Sequence, residues 1–171
     1  MAVGQIPPPD EPPPRRCPDR TLPAYRFVPG LNPHPFRHPD GHAFTDGSAP
    51  AGPATPAQTE ETFLWGLDLF DHRYWWEAHE AWEAVWHRLP RGSPAAELTQ
   101  GLIQAAAALL KTHMGHRRAA ERLLSQALVR LARADAAGEL SARGLELAVN
   151  RAGWERYLAG GPCPPPLKPG R

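Results

Sequence analysis

Apolar residues recur at helical spacing from Thr59 to Gly160 and lose that period on either side. Phe63, Leu67 and Phe70 mark one face of a first helix over 56–71, with Thr55 or Thr59 as N-cap and Glu60 and Glu61 in its first turn, where carboxylates meet the positive end of the helix dipole. A second helix is predicted over 74–88. At about 100° per residue, Trp75, Trp76, Trp82 and Trp86 share a broad face opposite Glu77, Ala81, Ala84 and Arg88, so the tryptophans define its inward side. Ser93-Pro94 supplies the N-cap and first residue of a third helix, and no charge interrupts the run between Glu97 and Lys111. A helix uncharged for so long belongs at the centre of a bundle, and Gly101 with Ala105 to Ala108 allows close approach by a neighbour. Gly115 closes it. A fourth helix over 117–134 turns Ala120, Leu123, Leu124, Ala127, Leu128 and Leu131 inward and leaves Arg117, Arg118, Arg122, Arg130 and Arg133 to solvent. Ser141 is expected to cap a last helix reaching Leu158, with Leu145, Leu147, Val149, Trp154 and Leu158 available for burial. The fold class expected is all-α, a compact multihelical bundle of about five helices with a buried central helix, spanning 59–160.

Proline marks the limits of this body. Of 22 prolines, only Pro90 and Pro94 fall inside 59–160. Residues 1–20 and 161–171 hold too little apolar surface to offset the entropy of ordering them, so both are expected to be disordered tails. Residues 21–58 differ, because Leu22, Tyr25, Phe27, Val28, Leu31, Phe36 and Phe44 alternate with prolines and with the turn dipeptides Pro29-Gly30, Asn32-Pro33 and Asp40-Gly41. They predict an extended, proline-rich N-terminal arm laid across the helices and capping a groove, joined to the body by a connector of small residues over 47–57. His34, His38 and His42 recur every fourth residue on this arm, but Pro35 and Pro39 exclude the helix that would align them, and His34 and His38 read as turn residues bonded to backbone.

Charge and cysteine usage narrow the function classes. The 19 basic and 18 acidic side chains nearly cancel, which argues against nucleic acid and anionic membranes as partners. Cys17 and Cys163, the only cysteines, exclude a disulfide framework and a four-thiolate metal site. Residues 1–9 lack a basic region followed by an apolar run, and no stretch approaches the roughly 18 to 20 apolar residues of a membrane span. A cytoplasmic protein is expected.

The candidate chemistry lies on the second helix. His79 and Glu83, four residues apart, project from its tryptophan-rich face, and Glu80 lies at the edge beside Trp76. A carboxylate directed into a core needs partners, and the amides of Gln100 and Gln104 on the central helix are the expected ones. Three roles fit this pattern. One is a structural network that fixes helix register. Another is a small-ligand or partner pocket lined by Trp76, Trp86, Gln100 and Gln104, with His34 contributing a lid. The third is an acid–base or metal-dependent, hydrolase-like enzyme using His79, Glu80 and Glu83 as catalytic residues. No cofactor is expected and no metal is assigned. The zincin pattern requires a histidine where Glu83 stands, and the Glu-x-x-His pairs of a di-iron bundle do not occur. No serine or cysteine motif supplies a nucleophile, and whether the chain is an enzyme stays open. A homo-oligomer using the face of Trp75 or Trp76 is also left open.

The stretch from Phe70 to Trp86, with Tyr74, Glu77-Ala78-His79-Glu80 and Glu83, then Gln100-Gly101-Leu102-Ile103-Gln104 and Ala119 to Leu124, resembles the bacterial and plastid domain of unknown function 309 family. Leu22-Pro23-Ala24-Tyr25, Pro29-Gly30 and Pro33-His34-Pro35 are similar to the leader of one of its subgroups, so the resemblance covers most of 22–160. It implies a multihelical fold with a buried central helix, and it implies no activity.

Overall fold

Side-chain capping sets the starts of two of the helices. Thr55 accepts a hydrogen bond from Gln58 N and its own N–H donates to Gln58 Oε1, a reciprocal box that begins α1 (Pro56–Asp71) with proline at the first helical position. After a turn in which Arg73 takes a left-handed φ of 65°, α2 (Trp75–Trp86) begins. Ser93 Oγ accepts from Ala96 N and starts α3 (Pro94–His113), and Gly115, with φ of 75°, redirects the chain into α4 (Arg117–Ala136). The computed structural model describes residues 4–45, 54–164 and 166–167, and among these the architecture is six helices with no strand. Most of the connector expected over 47–57 lies outside the described residues.

The last predicted helix divides in two. A single turn, α5 (Glu139–Ala142), is followed by α6 (Leu147–Leu158). Leu140 O accepts from both Arg143 N and Leu145 N, Gly144 takes a φ of 64°, and these close α5 before α6 can continue it. Ser141 therefore caps nothing; its hydroxyl donates to Gly138 O. The side chain of Val149 lies outside the described residues, while Leu145 and Trp154 are buried as expected.

α3, free of charge between Glu97 and Lys111, is the centre of the bundle, packed against α2, α4, α5 and α6, with Leu98, Ala105, Ala106, Ala108 and Leu109 fully buried. α1 packs on α2, and there Gly66 allows the Trp82 indole to lie on the backbone of α1. A Cβ at Gly66 would overlap that ring, whose Nε1 donates to Phe63 O. No helix among the described residues is long and apolar enough to cross a membrane.

The flanks depart furthest from expectation. Ile6 and Leu167, from the stretches expected to be disordered, are buried in the core with Val28 of the arm. The reason lies on α1, where Asp68 and Asp71 are almost fully buried carboxylates whose donors come from the flanks. Arg16 N and Cys17 N donate to Asp68, the Arg16 guanidinium pairs with Asp71 at 2.8 Å, and Leu167 N donates to Asp71 at 2.7 Å. Polar fastening replaces the apolar area that these segments lack. Two expected anchors of the arm, Leu31 and Phe44, are exposed; Phe36 is also exposed but packs one face on Trp76, while Phe27 and Val28 are buried.

Candidate functional site

The rotation of α2 about its axis decides what its polar residues can do. Its core stripe is Trp75, Ala78, Trp82 and Val85, and the fifth buried residue is Glu77, placed by the sequence reading on the outward side. Trp76 and Trp86 are only half-buried. Four indoles spread around one helix cannot all meet the same neighbours: Trp75 packs against Tyr157 of α6 and His113 of α3, whereas Trp76 is covered by Phe27, His34 and Phe36 of the arm.

With that rotation, the expected inward projection of His79 and Glu83 is corrected. The side chains of His79, Glu80 and Glu83 are 26%, 33% and 43% exposed. His79 Nδ1 lies 3.5 Å from Glu80 Oε1 and its Nε2 lies 3.8 Å from Glu83 Oε1, and one ligand atom from each of the three residues falls within 4.8 Å of the others. Nδ1 is sealed from solvent without a hydrogen bond. The amides expected to serve this cluster lie elsewhere. Gln104 reaches toward Gln126 of α4 (Nε2 to Oε1 3.5 Å), Gln100 is half-buried, and no hydrogen bond among the described residues joins either to His79 or Glu83.

The carboxylate that does enter a buried setting is Glu77. Phe27 N donates to its Oε1 at 2.9 Å, and His42 Nε2 lies 3.0 Å from the same oxygen. Glu77 Oε2 is sealed from solvent and receives no hydrogen bond from the described residues. His34 and His38 behave as the turn residues expected, each accepting a backbone N–H at Nδ1, while His42 reaches the helical body. Beside them, Arg26 donates through Nε to His72 O and stacks 4.4 Å over the Tyr74 ring; burial lowers the Arg26 pKa and raises that of Tyr74.

Between α1, α2 and the arm opens a cleft of about 950 Å³. Trp65, Leu69, Trp76 and Phe36 give it apolar walls, Glu77 and His42 lie at one side, and Glu80 and Arg20 also line it. Glu80 therefore belongs both to the cleft and to the cluster around His79. Of the pocket residues expected from sequence, Trp76 lines the cleft and His34 stacks on Trp76 with ring centroids 5.6 Å apart. Trp86 rests against His87 instead. Sequence reasoning missed Glu77, His42, Trp65 and Phe36. A carboxylate in the first turn of a helix is ordinary in itself, and only the arm's path makes this one unusual.

Residues 63–123 match the family model described as Domain of unknown function (DUF309), from the second half of α1 to the start of α4. The chain thus carries a DUF309 domain over those residues, with the arm outside the match. No curated protein and no solved structure matches the chain.

Proposed function

We propose that the chain, built around its DUF309 domain, is a small-ligand-binding module whose site is the cleft between α1, α2 and the arm. The observation that carries this reading is an open cavity of about 950 Å³ with aromatic walls and two carboxylates converging on it. Ligand sites have this composition: mostly apolar lining with a few placed polar groups. A purely structural network needs no such opening. Screening the full chain against a fragment set, with the tryptophan indole N–H resonances as readout, tests it. Binders should move Trp65 and Trp76 and leave Trp82 and Trp154, which are buried in the core, unmoved. Binders that move neither cleft residue, or none found at all, would sink the reading.

A second reading has one observation in its favour, the approach of His79, Glu80 and Glu83 ligand atoms to within 4.8 Å. One imidazole and two carboxylates suit a divalent ion such as zinc or manganese at the rim of the cleft. Elemental analysis of purified protein, with thermal shift on adding zinc or manganese, tests it. Metal-free protein with no shift in melting excludes it.

A further inference from the structure

We infer that the ligand of this cleft is an uncharged, largely apolar molecule built around an aromatic ring system; the inference rests on the ligand-binding reading above. The ionic groups along the cleft carry the first part of it. Glu77 offers a ligand no free charge: Phe27 N and His42 Nε2 meet its Oε1, the Arg26 guanidinium acts on it electrostatically, and its Oε2 is sealed from solvent and so out of a ligand's reach. His42 commits Nε2 to that same contact. Two ionic side chains of the cleft, Arg20 and Glu80, stay partly in water, and they are of opposite sign. Arg20 lies 4.6 Å over the Trp65 ring and 3.9 Å from Glu61, and Glu80 lies 3.5 Å from His79. An ionic ligand would shed its hydration on entry and meet no surplus of opposite charge to replace it.

The walls and the rim carry the second part. Leu22, Leu69 and Trp76 are apolar walls, and the small side chains of Ala81 and Ala84 leave room between them. A cavity of about 950 Å³ is large among small-ligand sites, so a fused ring system fills it better than a single phenyl. At the rim the arm closes a loop on itself: Ala43 N donates to Pro35 O at 3.2 Å and Phe44 N to Gly41 O at 3.0 Å. That loop holds Phe36 and Phe44 at 49% and 44% exposure, and its backbone bonds fix them there. Phe36 packs against Trp76 with ring centroids 5.5 Å apart and turns its remaining surface to the cleft. A ring system lying in the cleft covers that surface and completes a burial that the protein alone leaves unmade.

The test titrates the full chain with four probes that share one ring system, following the Trp65 and Trp76 indole signals: the uncharged 1-naphthalenemethanol, the anion 1-naphthoate, the cation 1-naphthylmethylammonium and the zwitterion 3-(1-naphthyl)alanine. The alcohol should bind at least about tenfold tighter than each of the other three. Phe36→Ala, at a half-exposed position, should weaken the alcohol by about fivefold. The probe series on the unaltered protein decides the charge question whatever Phe36→Ala does to folding. An ionic or zwitterionic probe bound as tightly as the alcohol, or a folded Phe36→Ala chain that binds the alcohol as the unaltered one does, overturns the inference and leaves the ligand-binding reading standing. Failure of every probe to move Trp65 or Trp76 overturns both.

Discussion

Two buried carboxylate sites fasten flanking chain to the helices, the tails on α1 and the arm on α2, and they are served differently. On α1, Asp68 receives Arg16 N on one oxygen and Cys17 N on the other, each at 2.8 Å, while Asp71 receives the Arg16 guanidinium on Oδ2 and Leu167 N on Oδ1. On α2, Glu77 has both of its contacts on one oxygen and none on the other. The first pair is complete and opens onto no cleft described above; the second faces a cavity. A buried acid with a donor on each oxygen is fastened from both sides, whereas one with a bare oxygen is only half-served.

The comparison breaks first at Asp68. Asp68→Asn puts an amide where an oxygen accepts a backbone N–H and removes the charge that meets Arg16, so unfolding free energy in urea should fall by about 3 kcal/mol. Next comes the C-terminal clasp. Deleting residues 161–171 removes the buried Leu167 side chain and its N–H from Asp71, which together should cost about 2 kcal/mol. The same site carries a pH signature. Burial, opposed by Arg16 and the Leu167 N–H, holds the Asp71 carboxyl above its ordinary value of 3.8. Between that value and the raised one, the unfolded chain has already released the proton that the folded chain keeps, so the folded state loses stability as pH rises through the window. Melting curves of the full chain across the acidic range should therefore fall as pH rises through that window, and a flat profile would remove Asp71 as the cause.

Glu77→Gln should be much milder. The amide oxygen can still accept from Phe27 N, and the uncharged group no longer buries a charge on an oxygen without a donor, so stability should change by less than about 1 kcal/mol. A loss as large as that of Asp68→Asn would make Glu77 a third fastener and remove the contrast.

How much of this was legible in sequence follows from how far each determinant lies along the chain. Thr55, Ser93 and Gly115 act on their own neighbours, and the helices they bound were read correctly. The charge-free run of α3 is a property of a single segment, and its central position followed. The rotation of α2 was not legible, because Trp75 and Trp76 are the same residue type set about 100° apart, and only α6 and the arm decide which indole meets the bundle. Glu77 sits on the polar side of its own helix and is buried by Phe27, fifty positions earlier. The tails were misread for a related reason. Their composition is that of disorder, but α1 presents two buried acids that bind their backbone N–H groups, and nothing local to residues 16, 17 or 167 signals those partners.

The smallest effect is expected at His79, where the sequence reading places a buried anchor. Its ring is 26% exposed, and its partners Glu80 and Glu83 are 33% and 43% exposed at 3.5 Å and 3.8 Å. Ion pairs that wet and that long contribute about 0.5 kcal/mol or less, so in metal-free protein His79→Ala should move Tm by no more than about 2 °C. The sealed Nδ1 works in the same direction, since removing a polar atom that has no hydrogen bond relieves a small desolvation cost. A fall in Tm comparable to that of Asp68→Asn would place His79 among the fasteners and return the polar face of α2 to a structural role. With zinc or manganese present the variant does a second job: if the rim cluster holds a divalent ion, the unaltered chain gains stability on adding metal and His79→Ala does not, whereas an identical gain in both would place the ion somewhere else.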